Sequence, residues 1–218
     1  MSKQKEIKIV LVDDHKMVRD GIRSIIEKKA HMLIIGEASD GREAIKKSTK
    51  LQPDVIVMDV AMPGLNGIES AKQILKINPT IKIIGLSMHS NKQFIKGMFL
   101  AGAYGYLLKD GDATELITAI DTVVQNRRYL SKEINQDFLP SLSAIEEIEE
   151  KLLSTRETEV LQLISEGKSS KEIGKLLFLS SKTVDVHRAN IMKKIDLHTV
   201  PELTKYAIRE GLTFLEDL

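Results

Sequence analysis

The chain has 218 residues, 42% of them hydrophobic and 29% charged, with no cysteine and a formal net charge of +1. That is an ordinary composition for a soluble globular protein, and the length suits two small domains better than one large one. The lack of cysteine excludes a disulfide framework, a thiol nucleophile and a Cys-based zinc site, and points to a reducing cytoplasm. The longest uncharged run, Gly97 to Leu108, is 12 residues and includes three glycines, too short to span a bilayer. The apolar run Ile7 to Val12 stops at Asp13 and Asp14 without a small-residue cleavage site, so neither a signal peptide nor a membrane partner is expected.

In chain order, short apolar and β-branched runs occur at Ile7–Val12, Met32–Ile35, Asp54–Met58, Ile81–Leu86 and Tyr104–Leu108. Between them run stripes at helical spacing: Val18, Ile22, Ile25 and Ile26; Ile68, Ala71, Ile74 and Leu75; Phe94, Ile95, Met98 and Phe99; Leu116, Ile117, Ile120, Val123 and Val124. Five strands alternating with helices, the strands apolar throughout rather than alternating, predict a parallel sheet covered on both faces.

After Leu130 the pattern changes. Residues 131–150 carry a net charge of −5, three serines and Pro140, and read as a linker. Beyond them no strand is expected. Ser154-Thr-Arg-Glu157, Ser169-Ser-Lys-Glu172 and Thr199-Val-Pro-Glu202 have capping-box spacing, and Ser180 can cap a helix running to about Ile195. A bundle of four helices is predicted.

Polar residues interrupt the strand pattern at one kind of place. Asp13 and Asp14 follow the first strand, Asp59 the third, Ser87 the fourth and Lys109 the fifth. Open α/β sheets bind ligands at these carboxyl ends. Three converging carboxylates repel one another unless a cation joins them, and hard oxygen ligands suit Mg²⁺. With the ammonium of Lys109 and the hydroxyl of Ser87 they form a cradle for a phosphoryl group.

In the second part, residues 167–195 have a net charge of +5. They read as helix, turn at Leu177-Phe-Leu-Ser180, helix. On the second helix Val184, Ile191 and Ile195 share the inner face. Lys182, Val186, Ala189 and Lys193 share the opposite one, flanked by Asp185 and Asn190. Such a helix can enter the major groove, with Lys168, Lys171, Arg188 and Lys194 reaching phosphates. From charge and spacing alone, a solvated bundle helix fits as well.

The stretches Leu11-Val-Asp-Asp14, Met58-Asp59-Val-Ala-Met-Pro63 with Gly67, Leu86-Ser87 and Gly105-Tyr106-Leu-Leu-Lys109 resemble the receiver domain of two-component response regulators, over residues 5–128. The resemblance implies a flavodoxin-like α/β doubly wound, five-stranded parallel sheet of order 2-1-3-4-5. It implies that Asp59 is the phosphoacceptor for a histidine kinase. Mg²⁺ would lie on Asp14, Asp59 and the carbonyl of Ala61, with Asp13 helping through water. Lys109 and Ser87 would bind the phosphoryl group, and Ser87 and Tyr106 would form a switch pair.

Leu153-Ser-Thr-Arg-Glu-Thr-Glu-Val-Leu161, Gly167, Lys171-Glu-Ile173 and Thr183-Val-Asp-Val-His187 resemble the LuxR-type helix-turn-helix, and the pair of domains resembles the NarL/FixJ family. The implied protein is a cytoplasmic, phosphorylation-controlled transcription regulator that binds double-stranded DNA, as a homodimer on DNA or on phosphorylation. The DNA-contacting set is Lys171, Lys182, Thr183, Asp185, Val186, Arg188, Ala189, Lys193 and Lys194, in a domain of residues 151–216 that follows a linker of residues 129–150.

Two departures from that family are visible. Gly174 stands where alanine is usual, which is expected to loosen the first helix of the motif. Asp185 stands where some relatives carry a basic residue. It would accept from a cytosine amino group or favour the helix N-terminal dipole. A phosphatase is the enzymatic rival, but such enzymes place an Asp two residues after the nucleophile, where this chain has Ala61, so no enzymatic activity is expected. A signalling module acting only through protein contacts is the other alternative. His187 and His198 read as packing or phosphate-contact residues rather than a metal pair. Gly167-Lys-Ser-Ser lacks the upstream glycine of a P-loop.

Overall fold

The structure is a computed structural model that describes residues 6–88, 90, 92–134 and 153–213. The chain divides into two compact units. The N-terminal one alternates strands and helices: β1 (Ile7–Val12), α1 (Lys16–Ile26), β2 (Met32–Ala38), α2 (Gly41–Leu51), β3 (Val55–Asp59), α3 (Gly67–Ile77), β4 (Lys82–Ser87), α4 (Lys92–Leu100), β5 (Gly105–Leu108), α5 (Ala113–Val123) and β6 (Tyr129–Leu130). All the strand pairs are parallel, in the order β2-β1-β3-β4-β5-β6. Every residue of β3 and all but the first of β4 are buried, because helices cover both faces. Ile9, Leu11, Val57, Ile84, Leu107, Ile120 and Val123 belong to one core cluster.

Asp40, Asn66 and Asp112 cap α2, α3 and α5, each side chain accepting a backbone N–H of the first turn. Such a cap is worth about 1 kcal/mol. Gly67, at the start of α3, is required by space. A Cβ there would lie 2.1 Å from the carbonyl oxygen of Asp59, so the helix starts against the strand that carries the acidic site.

The sheet has one strand more than the five expected. Tyr129 and Leu130, expected in the linker, pair with Gly105 and Tyr106 as β6. Two residues carry no readable period, and what holds them comes from elsewhere. The buried carboxylate of Glu115 accepts from Tyr129 Oη at 3.1 Å, Ser131 Oγ at 2.7 Å and the Lys132 N–H at 2.8 Å. Residues 135–152, most of the expected linker, lie outside the described residues.

The C-terminal unit has α6 (Thr155–Ser165), α7 (Ser170–Leu177), α8 (Ser181–Ile195) and α9 (Val200–Arg209). All three expected capping boxes are formed, at Ser154, Ser169 and Thr199, and Ser180 Oγ accepts from the Thr183 N–H. The core gathers Val160, Leu161, Ile164, Ile173, Leu177, Val184, Ile191, Leu203 and Ala207. Val184 and Ile191 are thus the buried face of α8, as the helical wheel requires.

Gly174 has a role beyond helix propensity. It allows the close turn into α8: the Leu179 N–H donates to the Gly174 carbonyl at 2.8 Å, and a Cβ at this position would stand 2.7 Å from the Leu179 carbonyl oxygen. Helix propensity alone favours alanine by about 1 kcal/mol, but backbone oxygen cannot swing aside as a side chain can. Gly174→Ala is therefore expected to lower the melting temperature of the C-terminal unit, despite its better propensity. A rise in melting temperature would show that the turn relaxes freely.

Candidate functional site

The carboxyl ends of β1, β3 and β5 bring Asp13, Asp59 and Lys109 together. Lys109 Nζ is 2.8 Å from Asp13 Oδ2 and 2.8 Å from Asp59 Oδ2. Asp13 is 1% and Asp59 2% exposed. Burial pushes the Asp59 carboxyl up to about 6, with Lys109 opposing the rise and Asp13 adding to it. For Lys109, burial works against the charged form, but the two carboxylates outweigh it and hold the ammonium above its ordinary value. The Ala61 N–H donates to Asp59 Oδ1 at 3.1 Å, fixing the carboxylate from its other side.

Asp14 stands beside this pair. Apart from ion-pair contacts, with His15 for Asp14 Oδ1 and with Lys109 for Asp13 Oδ2, neither oxygen accepts a hydrogen bond. Buried carboxylate oxygens with so few donors invite a further cation. Asp13, Asp14, His15 and Asp59 can each offer an atom within 4.8 Å of the others. Three carboxylates against one ammonium leave an excess of negative charge, and the oxygen donors fit a hard dication such as Mg²⁺. His15, which sequence reasoning passed over, has Nδ1 2.9 Å from Asp14 Oδ1. Arg19 was missed as well. Its Nη1 donates to the Asp13 carbonyl at 2.6 Å, while its Nε bonds Glu37 at 3.0 Å. It braces the loop that presents both aspartates. Its place on α1, four residues from His15, was a readable signal; the distant Glu37 was not.

Ser87 is fully buried at the end of β4, and Tyr106 is fully buried on β5. A hydrogen bond joins their side chains. Burial, offset by that bond and reinforced by the Asp59 charge, raises the tyrosine far above its ordinary value. A sheet ending at β5 would leave this tyrosine on its edge strand. β6 covers that edge instead, and the Ser131 N–H donates to the Tyr106 carbonyl at 2.9 Å.

On α8, Lys182, Thr183, Asp185, Val186, Ala189 and Lys193 are exposed. Val186, at 52%, is an apolar side chain left on a polar face. Lys171, on α7, is exposed as well. Two expected phosphate contacts already have partners. Lys194 Nζ is 2.6 Å from Glu157 Oε2, and Arg188 Nη2 is 3.4 Å from Asp185 Oδ1. His187 is half-buried and His198 exposed, and neither belongs to the one candidate metal cluster among the described residues. No helix among them is long and apolar enough to cross a membrane.

Comparison with known proteins finds the same two kinds of domain. The family model described as response regulator receiver domain matches residues 9–121, and that described as bacterial regulatory proteins, luxR family, matches residues 151–207. The chain is 37% identical over 214 residues to the response regulator UvrY of Escherichia coli K12, covering 97% of this chain and 98% of that one. It is 38% identical over 208 residues to the transcriptional regulatory protein LiaR of Bacillus subtilis, covering 94% and 99%. Among solved structures, it is similar to RcsB of Salmonella enterica serovar Typhimurium bound to promoter DNA in the presence of the phosphomimetic BeF₃⁻. The TM-score is 0.60 at 28% identity, covering 96% of this chain and all of that one. Acidic pocket, helix-turn-helix and these matches lead to one assignment: the chain belongs to the NarL/FixJ family of two-component response regulators, transcription regulators that join a receiver to a LuxR-type DNA-binding domain.

Proposed function

We propose that Asp59 accepts a phosphoryl group from a histidine kinase and that this controls DNA binding by α8. The observation that carries the reading is the buried Asp59 carboxylate held 2.8 Å from Lys109 at the end of a strand. Asp59 attacks phosphorus, an aspartyl O–P bond forms, and the donor's P–N bond breaks, leaving an imidazole that takes a proton from solvent. Lys109 stays beside the transferred group and balances its added charge. Asp13, Asp14, Asp59 and the Ala61 carbonyl would hold Mg²⁺, Asp13 through water. When bound, the ion neutralises charge on the phosphoryl oxygens.

The transfer turns one carboxylate charge into nearly two and adds acceptor oxygens. The Ser87 hydroxyl, shared with Tyr106, can donate to them instead, and the pair is the switch. In the C-terminal unit α8 enters the major groove. Lys182, Thr183, Val186, Ala189 and Lys193 face the bases, and Lys171 and Arg188 face phosphates. A single short helix reads a half-site weakly, so two copies bind a two-fold site with centres about one helical turn apart. A receiver and a DNA-binding domain in one chain support a cytoplasmic location. The Lys194–Glu157 pair argues for leaving Lys194 out of the phosphate contacts.

Acetyl phosphate with Mg²⁺ should label the chain with a hydroxylamine-sensitive adduct. Asp59→Asn should abolish the label, and Asp14→Ala should slow it and weaken Mg²⁺ binding. Labelling of the Asp59 variant at the normal rate would sink the assignment.

The pH dependence has a definite sign. Asp59 titrates near 6 in the fold and near 3.9 in an unfolded chain. The folded chain therefore binds more protons between those values, and this group's contribution to stability is present below about pH 4 and lost as pH rises through about 6. Labelling at limiting Mg²⁺ should fall off below about pH 6, and excess Mg²⁺ should move that midpoint down by favouring the anion. Asp59→Asn, which removes the buried charge, should raise the melting temperature at pH 7 without Mg²⁺, with the gain vanishing toward pH 4. Thermal melts at the two pH values would contradict this if the variant were the less stable at pH 7.

Lys193→Ala should cost on the order of 1–3 kcal/mol on a preferred duplex and relax preference at one position. Lys171→Ala should weaken binding to all sequences and reduce the salt slope by about one. Salt titrations on a selected and a scrambled duplex separate the two.

A further inference from the structure

Asp185 brings a negative charge onto a surface that must approach phosphates. Reading a base would require its carboxylate to be free for the groove. Serving the helix dipole would require it in the first turn, where that field acts. α8 starts at Ser181 and has no acidic residue in its first turn. The carboxylate is committed elsewhere. Ser170 Oγ, at the first position of α7, donates to Asp185 Oδ1 at 2.7 Å. Arg188 Nη2 approaches the same oxygen at 3.4 Å from one turn further along α8. One oxygen thus joins the two helices of the helix-turn-helix and holds the arginine next to them.

We propose that Asp185 is a positioning residue for DNA recognition: through Ser170 it sets the angle at which α8 leaves α7, and through Arg188 it aims a guanidinium at the DNA backbone. This rests on the reading of α8 as the groove helix.

The energetics favour a role in orientation over one in stability. The side chains of Asp185 and Arg188 are 50% and 41% exposed, and exposed ion pairs contribute little. Holding a long side chain in its bound rotamer before contact removes part of the ordering cost of binding. Arginine suits the task because its five fixed donors can serve a carboxylate and a phosphate together. In a correctly seated complex Arg188 lies between Asp185 and the backbone and shields the carboxylate. In a loosely seated, non-specific complex the carboxylate meets phosphate unshielded. Asp185 therefore raises the ratio of specific to non-specific affinity without touching a base.

The test uses the full chain and two probes: a duplex enriched by the wild-type protein from a random pool, and a scrambled duplex of the same composition. Asp185→Ala should weaken binding to the selected duplex roughly tenfold, as expected for the loss of one charged hydrogen bond. It should leave the scrambled duplex unchanged or bound more tightly, and the ranking of single-base variants unaltered. Asp185→Asn should recover most of the loss, since the amide oxygen still accepts from Ser170. Ser170→Ala should reproduce the loss, and the double variant should add nothing further. Ser170→Ala carries the test if Asp185→Ala melts early. A wild-type-like Ser170→Ala, or an Asp185→Ala that relaxes preference at one base pair, would overturn the proposal in favour of base reading. Equal tightening on both duplexes by the Ala and Asn variants would overturn it in favour of plain charge repulsion. If the wild type enriches no sequence, the groove reading itself fails, and that arm tells the two failures apart.

Discussion

A single ammonium between two buried carboxylates sets the terms for the whole receiver. Removing a carboxylate from water costs several kcal/mol even after relaxation, and Asp13 and Asp59 are both almost fully removed. Lys109 offsets that cost, and its place on β5 restricts its neighbours. β5 lies two strands from β3, roughly 10 Å at the usual spacing, so only a long side chain can reach Asp59 across β4. The intervening strand must then carry a short residue at its end, and it carries Ser87. A bulky side chain there would block the lysine, and a small apolar one would offer no donor to a phosphoryl group. The lone serine ending an apolar strand is a consequence of sheet order as much as of chemistry.

The helical unit solves a different problem with the same economy of contacts. Its four caps are all Ser or Thr, so each helix start is fixed locally before any packing is made. The step from α7 to α8 then depends on a missing Cβ at Gly174 and a left-handed Phe178. Charge is apportioned with similar care. Of the basic residues on α8, Lys194 is held by Glu157 and Arg188 by Asp185. Lys182 and Lys193 have no ion pair within the described residues and project from the outer face. With Lys194 turned to Glu157, formal charge along the sequence overstates what the helix offers a phosphate backbone.

What could be read in the sequence was whatever has a local signature. Doubly buried strands show as unbroken apolar runs, so an Asp, Ser or Lys at their ends stands out, and the acidic pocket with its lysine was legible residue by residue. Capping boxes span four residues and were all found. What escaped depends on partners far along the chain. β6 is two residues long and is held by Glu115, a glutamate that looks like any other on an amphipathic helix. Lys194 turns to a glutamate 37 residues away. The close fit at Gly174 was not legible because propensity is local, whereas the Leu179 carbonyl that fills the space beside it depends on the turn. His15 and Arg19 were passed over because the aspartates beside them explained the motif without their help.

Tyr106 connects these levels. Its hydroxyl end is bonded to Ser87, in the acidic pocket, and its carbonyl accepts from the Ser131 N–H, just beyond β6. One residue therefore touches both the acidic pocket and the first residues of chain leading out of the receiver. A coupling of this kind needs an element with two arrangements, not merely a line of contacts. Under the proposed mechanism the Ser87 hydroxyl supplies them: it is bonded to Tyr106, or it donates to a phosphoryl oxygen and gives up that bond. A buried hydrogen bond lost or made shifts free energy by about 1 kcal/mol, at the lower end of the range in which allosteric couplings fall. The ring must then repack or find a new partner, and β6, held by Glu115 and by the backbone of Tyr106 itself, is the element that registers the difference.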